Sequence, residues 1–246
     1  MQPTPVSMSD VPVAILAGGL ATRLRPITTS VPKAMVEVAG RPFAAHQVEL
    51  LRDNGARRVV FCLGYLGEQV ERYLGDGSAF GVQVRYSHDG DRLLGTGGAL
   101  RRALPLLGPL FWVVYGDSYL DIDYAGILDH FCHSDALGLM TVYRNANQWD
   151  RSNVAFHQGR LVCYNKCTPT PEMHHIDYGA ALLRAGAFAR APLAECFDLA
   201  QMYSDLVARG EMIGHEVTRR FYEIGSPAGL EEAGAYLLAR RARASA

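Results

Sequence analysis

The chain has 246 residues, 49% of them hydrophobic, and carries 24 Lys and Arg against 25 Asp and Glu, a formal net charge of −1. That length holds one substantial α/β core with elaborations. The even charge balance excludes a basic field for nucleic acid or anionic lipid, while a small polyanionic substrate, which needs only a few placed cations, stays open.

Five cysteines, at 62, 132, 163, 167 and 196, do not make the even framework of a secreted disulfide protein, so a reducing cytoplasm is expected. Met1–Pro12 holds three prolines and neither a basic nor an apolar signal region, and reads as a loose leader. No apolar run approaches the roughly 20 residues of a membrane-spanning helix. A soluble protein without a membrane partner is expected.

The apolar runs Val11–Ala17, Arg58–Leu63, Val82–Tyr86, Leu110–Tyr115 and Leu137–Tyr143 predict buried strands. Between the first four lie helical patterns, so a mostly parallel, Rossmann-like sheet flanked by helices is expected. The helix after Pro42 should stop near Asn54-Gly55, and Leu66–Leu74, Gly98–Leu104 and Tyr124–Cys132 supply further helices. Beyond Tyr143 the spacing changes. Asn153–His157, Arg160–Asn165 and Ile176–Leu183 predict an antiparallel extension over the mouth of the sheet, with a turn at Gln158-Gly159. A helix near Asp198–Arg209, a strand near Met212–Val217 and a basic helix from about Pro227 to Arg243 close the chain.

The first strand ends in Leu16-Ala17 and runs into Gly18-Gly19, the position where open α/β sheets bind ligands. Two glycines let backbone N–H groups approach a phosphate. Arg23 and Lys33 then bring two cations, on a path stiffened by Pro26 and Pro32. The spacing fits neither the P-loop nor the dinucleotide fingerprint.

The whole run L-A-G-G-L-A-T-R-L-R-P-I-T-T-S-V-P-K resembles the signature of the sugar-1-phosphate nucleotidyltransferases, with Ala21 where that family has its third glycine. The resemblance implies a single nucleotide-diphospho-sugar transferase fold over residues 1–246: a nucleotide-binding part over 11–143, a sugar-binding part with the second metal carboxylate over 144–226, and a C-terminal helix over 227–243. It implies nucleotide contacts from Leu16, Ala17, Gly18, Gly19, Thr22 and Arg23, and from Leu94–Ala99, where Thr96, Gly97 and Gly98 would lie along the base. By itself that last segment also reads as a helix start capped by Thr96.

The strand ending in Gly116-Asp117 is similar to the family's metal-binding strand, which makes Asp117 a Mg²⁺ ligand. Glu223, in Phe221-Tyr222-Glu223-Ile224-Gly225-Ser226, would be the second, with Glu for the family's Asp. Asp121 and Asp123 read as helix caps. Asn165-Lys166 falls where the family has E-K, so Lys166 would grip the sugar phosphate and Asn165 replaces an acid. Ser152, Asn153, Asp177, Tyr178 and Gly179 would contact the sugar.

The implied partners are a nucleoside triphosphate and a sugar 1-phosphate, with a homo-oligomer left open. Arg23, Lys33 and Lys166 would be the catalytic cations. The length and Ile176-Asp177-Tyr178-Gly179 are similar to the heptose 1-phosphate guanylyltransferases. Three alternatives stand: a uridylyltransferase for a hexose or N-acetylmuramic acid 1-phosphate, a phosphocholine cytidylyltransferase, and a degenerate nucleotide-sugar binding module, to which Ala21, Glu223 and Asn165 point. A zinc site at Cys163, Cys167, His174 and His175 has a non-standard spacing, with Lys166 set to repel the ion.

Overall fold

The computed structural model describes residues 6–244. Strands β1 (Val13–Leu16), β2 (Arg58–Leu63), β3 (Gln83–His88) and β4 (Leu110–Tyr115) pair in parallel in the spatial order β4-β1-β2-β3. The order reverses beside β1, and that reversal opens a crevice at the carboxyl ends of β1 and β4. Helices α1 (Phe43–Asp53), α2 (Gly67–Leu74), α3 (Gly95–Leu107), α4 (Tyr124–Cys132), α5 (Leu199–Ala208) and α6 (Pro227–Ala244) surround the sheet. Val48, Leu51, Val70 and Ile127 pack α1, α2 and α4 against one side of the sheet. Leu100, Ala103, Met202 and Leu206 pack α3 and α5 against the other. With both faces covered, every residue of β1 is buried, which is why parallel strands read as unbroken apolar runs.

Local signals set the ends of these elements. Asn54 closes α1, its backbone and side-chain N–H groups both donating to the Leu50 carbonyl, and Gly55 turns the chain away at φ +95°. Asp123 caps α4 by accepting from Gly126 N at 3.0 Å. Asp121 does not cap: it pairs with Arg219 at 2.9 Å and accepts from the Tyr236 hydroxyl, joining the α4 entry to the last helix. Nor does Thr96 cap its own helix, which starts at Gly95, three residues before the expected Gly98. Its hydroxyl instead accepts from Leu199 N at 2.8 Å and donates to Asp198, completing the N-terminus of α5.

The second half extends the same sheet. β5 (Gly138–Arg144), β6 (Val154–His157), β7 (Arg160–Tyr164), β8 (His175–Arg184) and β9 (Met212–Val217) follow. β8 runs antiparallel to β4 over Ala180–Arg184 and to β5, with a register shift between Asp177 and Ala181. β6 and β7 form the expected hairpin, while β9 is parallel to β5. The antiparallel part therefore continues the sheet from the open edge of β4 and does not lie over its mouth. The reason is elementary: the N–H and C=O groups on that edge of β4 need partners, and β8 supplies them.

Part of the expected leader is core. Met8 is 5% and Val11 1% exposed, and the Trp112 indole N–H donates to the Met8 sulfur at 3.1 Å. Residues 1–5 of that leader lie outside the described residues. No helix among the described residues is long and apolar enough to cross a membrane.

Candidate active site

At the end of β1 the backbone leaves the sheet and passes under the ends of β2 and β4. Gly64 sits so close that a Cβ on it would lie 2.6 Å from the Gly18 carbonyl oxygen, and Gly116 N donates to Leu16 O at 2.9 Å. These approaches form a cleft of about 250 Å³ walled by Leu16, Ala17, Gly18, Gly19, Ala21, Lys33, Asp89 and Thr96, among others. Thr22 and Arg23 lie outside its wall, on the 3-10 turn Thr22–Leu24 that follows. The Arg23 guanidinium reaches across Gly225, where a Cβ would lie 3.1 Å from Nη2.

Ala21 sits in the left-handed region at φ 49° and ψ 43°, the conformation that explains a glycine there in the family signature. Its carbonyl accepts from the Thr28 hydroxyl at 2.8 Å, which holds the strained turn. Left-handed backbone costs a residue with a Cβ about 1–2 kcal/mol, offset in part by the greater unfolded-state freedom of glycine. Ala21→Gly should therefore raise stability by roughly 0.5–1 kcal/mol, a Tm increase of about 1–3 °C by calorimetry. A lower Tm would show that the turn is not strained at this residue.

Gly97 and Gly98 do not face the cleft. A Cβ on Gly97 would lie 2.1 Å from the Phe197 ring, and one on Gly98 would lie 2.3 Å from the Glu195 carbonyl oxygen. Their bareness admits the buried Phe197 segment, which also accepts from both glycine N–H groups. The Cβ-free faces of these two glycines are taken up by Phe197 and Glu195, and the cleft wall at this segment is formed by Gly95, Thr96 and Ala99. Asp89 carries no motif that marks it in the sequence. It is 5% exposed, accepts from Leu94 N at 3.0 Å and lines the cleft, and burial pushes its carboxyl above the ordinary aspartate value against that hydrogen bond.

Asp117 stands on the turn after β4. Gln47, buried on α1 and equally unmarked in the sequence, clamps this turn by donating to Tyr115 O and Ser118 O. Ser118–Tyr119 pairs antiparallel with Tyr222–Glu223, and Ile224 N donates to Asp117 O at 2.9 Å. The short ladder brings residues 117 and 223, over a hundred positions apart, to one place. Burial first, then the charges of Asp117 and Asp150, holds the Glu223 carboxyl above its ordinary value, with Arg23 and Lys33 pulling the other way. Lys33 lines the cleft, its ammonium paired with Asp117 Oδ2 at 2.8 Å. The two carboxylates offer oxygen donors only, the type a hard divalent cation takes.

A second cavity, of about 190 Å³, shares Tyr115 and Asp117 with the first. Asn153, Lys166, Asp177, Tyr178, Gly179 and Glu223 line it, together with Tyr164 and Asp150. The register shift in β8 builds this wall: Gly179, at φ +99°, turns its N–H onto Asp177 Oδ1 at 3.0 Å, and Asn153 Oδ1 accepts from Asp177 N. Burial pushes the Asp177 carboxyl up to about 6, against the Gly179 hydrogen bond and the charge of Lys166. Lys166 lies 3.5 Å from Asp198 on the cap of α5.

Two expected sugar residues are otherwise engaged. Ser152 is 1% exposed and its hydroxyl binds Asn145 and Asn147 within their loop. The Asn165 side-chain oxygen accepts from Cys167 N and Thr168 N, the usual local turn of an asparagine. Cys163 and Cys167 are exposed, and His175 pairs with Glu216 at 3.2 Å. Among the described residues no group of three or more His, Cys, Asp or Glu is arranged to hold a metal ion. A cation at Asp117 and Glu223 would thus complete its shell from substrate and water.

The sequence pattern of the nucleotidyl transferase family matches residues 13–151, and the chain belongs to that family. Over 111 residues it is 43% identical to the N-acetylmuramate alpha-1-phosphate uridylyltransferase of Neisseria meningitidis serogroup B, a match covering 45% of this chain and 48% of that one. Over 220 residues it is 27% identical to the mannose-1-phosphate guanylyltransferase catalytic subunit beta of Drosophila melanogaster, covering 87% and 59%. The chain thus spans about half the length of these curated relatives. Its α/β fold matches the structure of HddC from Yersinia pseudotuberculosis complexed with GMP-PN, with a TM-score of 0.77 at 23% identity, over 92% of this chain and 99% of that one.

Proposed function

We propose that the protein transfers a nucleoside monophosphate from GTP to a heptose 1-phosphate, releasing pyrophosphate and forming a nucleotide sugar. The observation that carries this reading is the meeting of two cavities at Asp117, one walled by the glycine loop and the other by Lys166 and a set of sugar-type hydrogen-bonding groups. Residues 11–143 would hold the nucleotide and 144–226 the sugar.

A phosphate oxygen of the sugar 1-phosphate attacks the α-phosphorus, the bond to the α–β bridging oxygen breaks, and pyrophosphate leaves with that electron pair. The attacking phosphate is already an anion, so no protein nucleophile is needed; alignment and charge neutralisation carry the rate. Lys166 holds the attacking phosphate. Arg23 meets the leaving pyrophosphate, and Lys33 exchanges its Asp117 partner for a triphosphate oxygen. Asp117 and Glu223 would hold Mg²⁺, which supplies positive charge at the triphosphate.

The guanylyl reading is supported by the relative matched over 87% of this chain. The 43% identity to a uridylyltransferase over 111 residues favours a second reading, UTP with N-acetylmuramic acid 1-phosphate. A pyrophosphate-release screen of GTP, UTP, CTP, ATP and dTTP against sugar 1-phosphates and phosphocholine tests both. GTP with heptose 1-phosphate should turn over fastest. Faster release from UTP with N-acetylmuramic acid 1-phosphate would replace that assignment, and nucleotide binding with no release for any pair would establish the binding-module alternative.

A further inference from the structure

Asn165, which stands where the family has an acid, does not line the second cavity, and besides Asp117, Asp177 and Glu223 one further carboxylate enters it from a different element. Asp150 lies on the loop between β5 and β6 and lines the same cavity as Asp177. It shares that cavity with Glu223. Its Oδ1 accepts from Arg151 N at 2.6 Å and its carbonyl accepts from Asn145 Nδ2 at 2.6 Å, so main chain and carboxylate are both oriented by the loop itself.

That loop is tied down by a stack. Trp149, next to Asp150, covers the Arg220 guanidinium with 3.3 Å from Cζ to the ring centroid, and the Tyr222 ring lies within 4.9 Å of the same guanidinium. Tyr222 in turn stacks on Tyr236 of α6, with centroids 4.1 Å apart and planes at 20°. Arg220 also pairs with Glu232 of α6, and its Nε is buried without a hydrogen-bond partner. A guanidinium held between aromatic faces at the cost of an unsatisfied N–H is a built feature of the fold, since such a group is otherwise placed in water. Tyr222 immediately precedes Glu223. One stack thus fixes the residues next to two carboxylates of one cavity.

We propose that Asp150 binds hydroxyl groups of the sugar acceptor, and that the Trp149–Arg220–Tyr222 stack is the positioning device that holds it over the cavity. This rests on the sugar-1-phosphate reading above. A carboxylate with a free oxygen accepts hydroxyl donors with charge-assisted strength, which suits a polyhydroxylated ring.

The test is equilibrium binding of heptose 1-phosphate by calorimetry, with inorganic phosphate as control, together with steady-state KM for both substrates. Asp150→Asn keeps the shape and one acceptor and should weaken heptose 1-phosphate by about 10-fold or more, leaving inorganic phosphate and the KM for the nucleotide within about 2-fold. Trp149→Ala should weaken the sugar phosphate by roughly 3-fold to 10-fold, and Trp149→Phe, which keeps a ring on the guanidinium, should restore it. Unchanged sugar-phosphate affinity in Asp150→Asn would overturn the proposal, as would equal losses for sugar phosphate and nucleotide in Trp149→Ala. Binding is read without turnover, so a selective loss in Asp150→Asn upholds the acceptor contact even if no pyrophosphate is released.

Discussion

Asp117→Ala should lower pyrophosphate release by about 10³-fold or more, the scale of losing a main electrostatic element of a phosphoryl-transfer site, while the chain still folds. The fold tolerates it because the turn is held by groups other than the carboxylate. Gln47 clamps Tyr115 O and Ser118 O, Gly116 N bonds Leu16 O, and Ile224 N bonds the Asp117 carbonyl. What is lost structurally is the pair with Lys33 and the Ser118 hydroxyl's 3.3 Å hydrogen bond to the carboxylate; with the paired side chains 19% and 25% exposed, the cost should be about 1–3 kcal/mol. Glu223 should also titrate closer to an ordinary glutamate, because the Asp117 charge is one of the causes that raise it. A pyrophosphate assay beside a thermal melt separates the two effects. Retained turnover in a folded variant would remove Asp117, and with it the proposed reaction centre.

Asp177→Asn should act in the opposite direction on stability. In the folded protein the carboxyl is pushed up to about 6 from 3.8, so folding favours its protonated form. The wild type should therefore be most stable, as far as this group is concerned, below about pH 4. It loses that contribution as pH rises towards about 6 and stays flat above. The amide carries no charge to desolvate and can still accept from Gly179 N. Above pH 6 the variant should be more stable by about 1–3 kcal/mol, since each pH unit between the unfolded and folded titration midpoints is worth about 1.36 kcal/mol. The difference should close below about pH 4. Urea melts at pH 4, 6 and 8 read this directly, and an equal difference at all three would show that ionisation of Asp177 is not the cause. The same variant should bind a sugar phosphate more weakly, since a strained charge in a pocket is commonly kept for its ligand.

Much of the fold was legible because it is written in local patterns. Arg58–Leu63, Leu110–Tyr115, Tyr124–Cys132 and Met212–Val217 have the expected bounds, each being an apolar run or an apolar face with its own stop signal. Departures came where distant chain takes part. Thr96 serves α5 and not its own helix, and Gly97 is bare because the Phe197 ring occupies its Cβ position. Both partners arrive about a hundred residues later, and no local pattern names them. Asp89, Asp150 and Gln47 are single residues of common types, and only their walls and partners set them apart.

Alone, the sequence determined the parallel α/β core and the glycine-bearing end of its first strand at Gly18-Gly19, because periodicity and turn chemistry act over a few residues; Asp117 and Glu223 stood out only through the family resemblance. Only the tertiary structure decided that Asp117 and Glu223 face one space, that Lys33 rests on Asp117, and that Asp150 stands in the same cavity as Glu223. Those placements follow from the Ser118–Tyr119 ladder, the β8 register shift and the Arg220 stack, contacts between segments far apart in the chain.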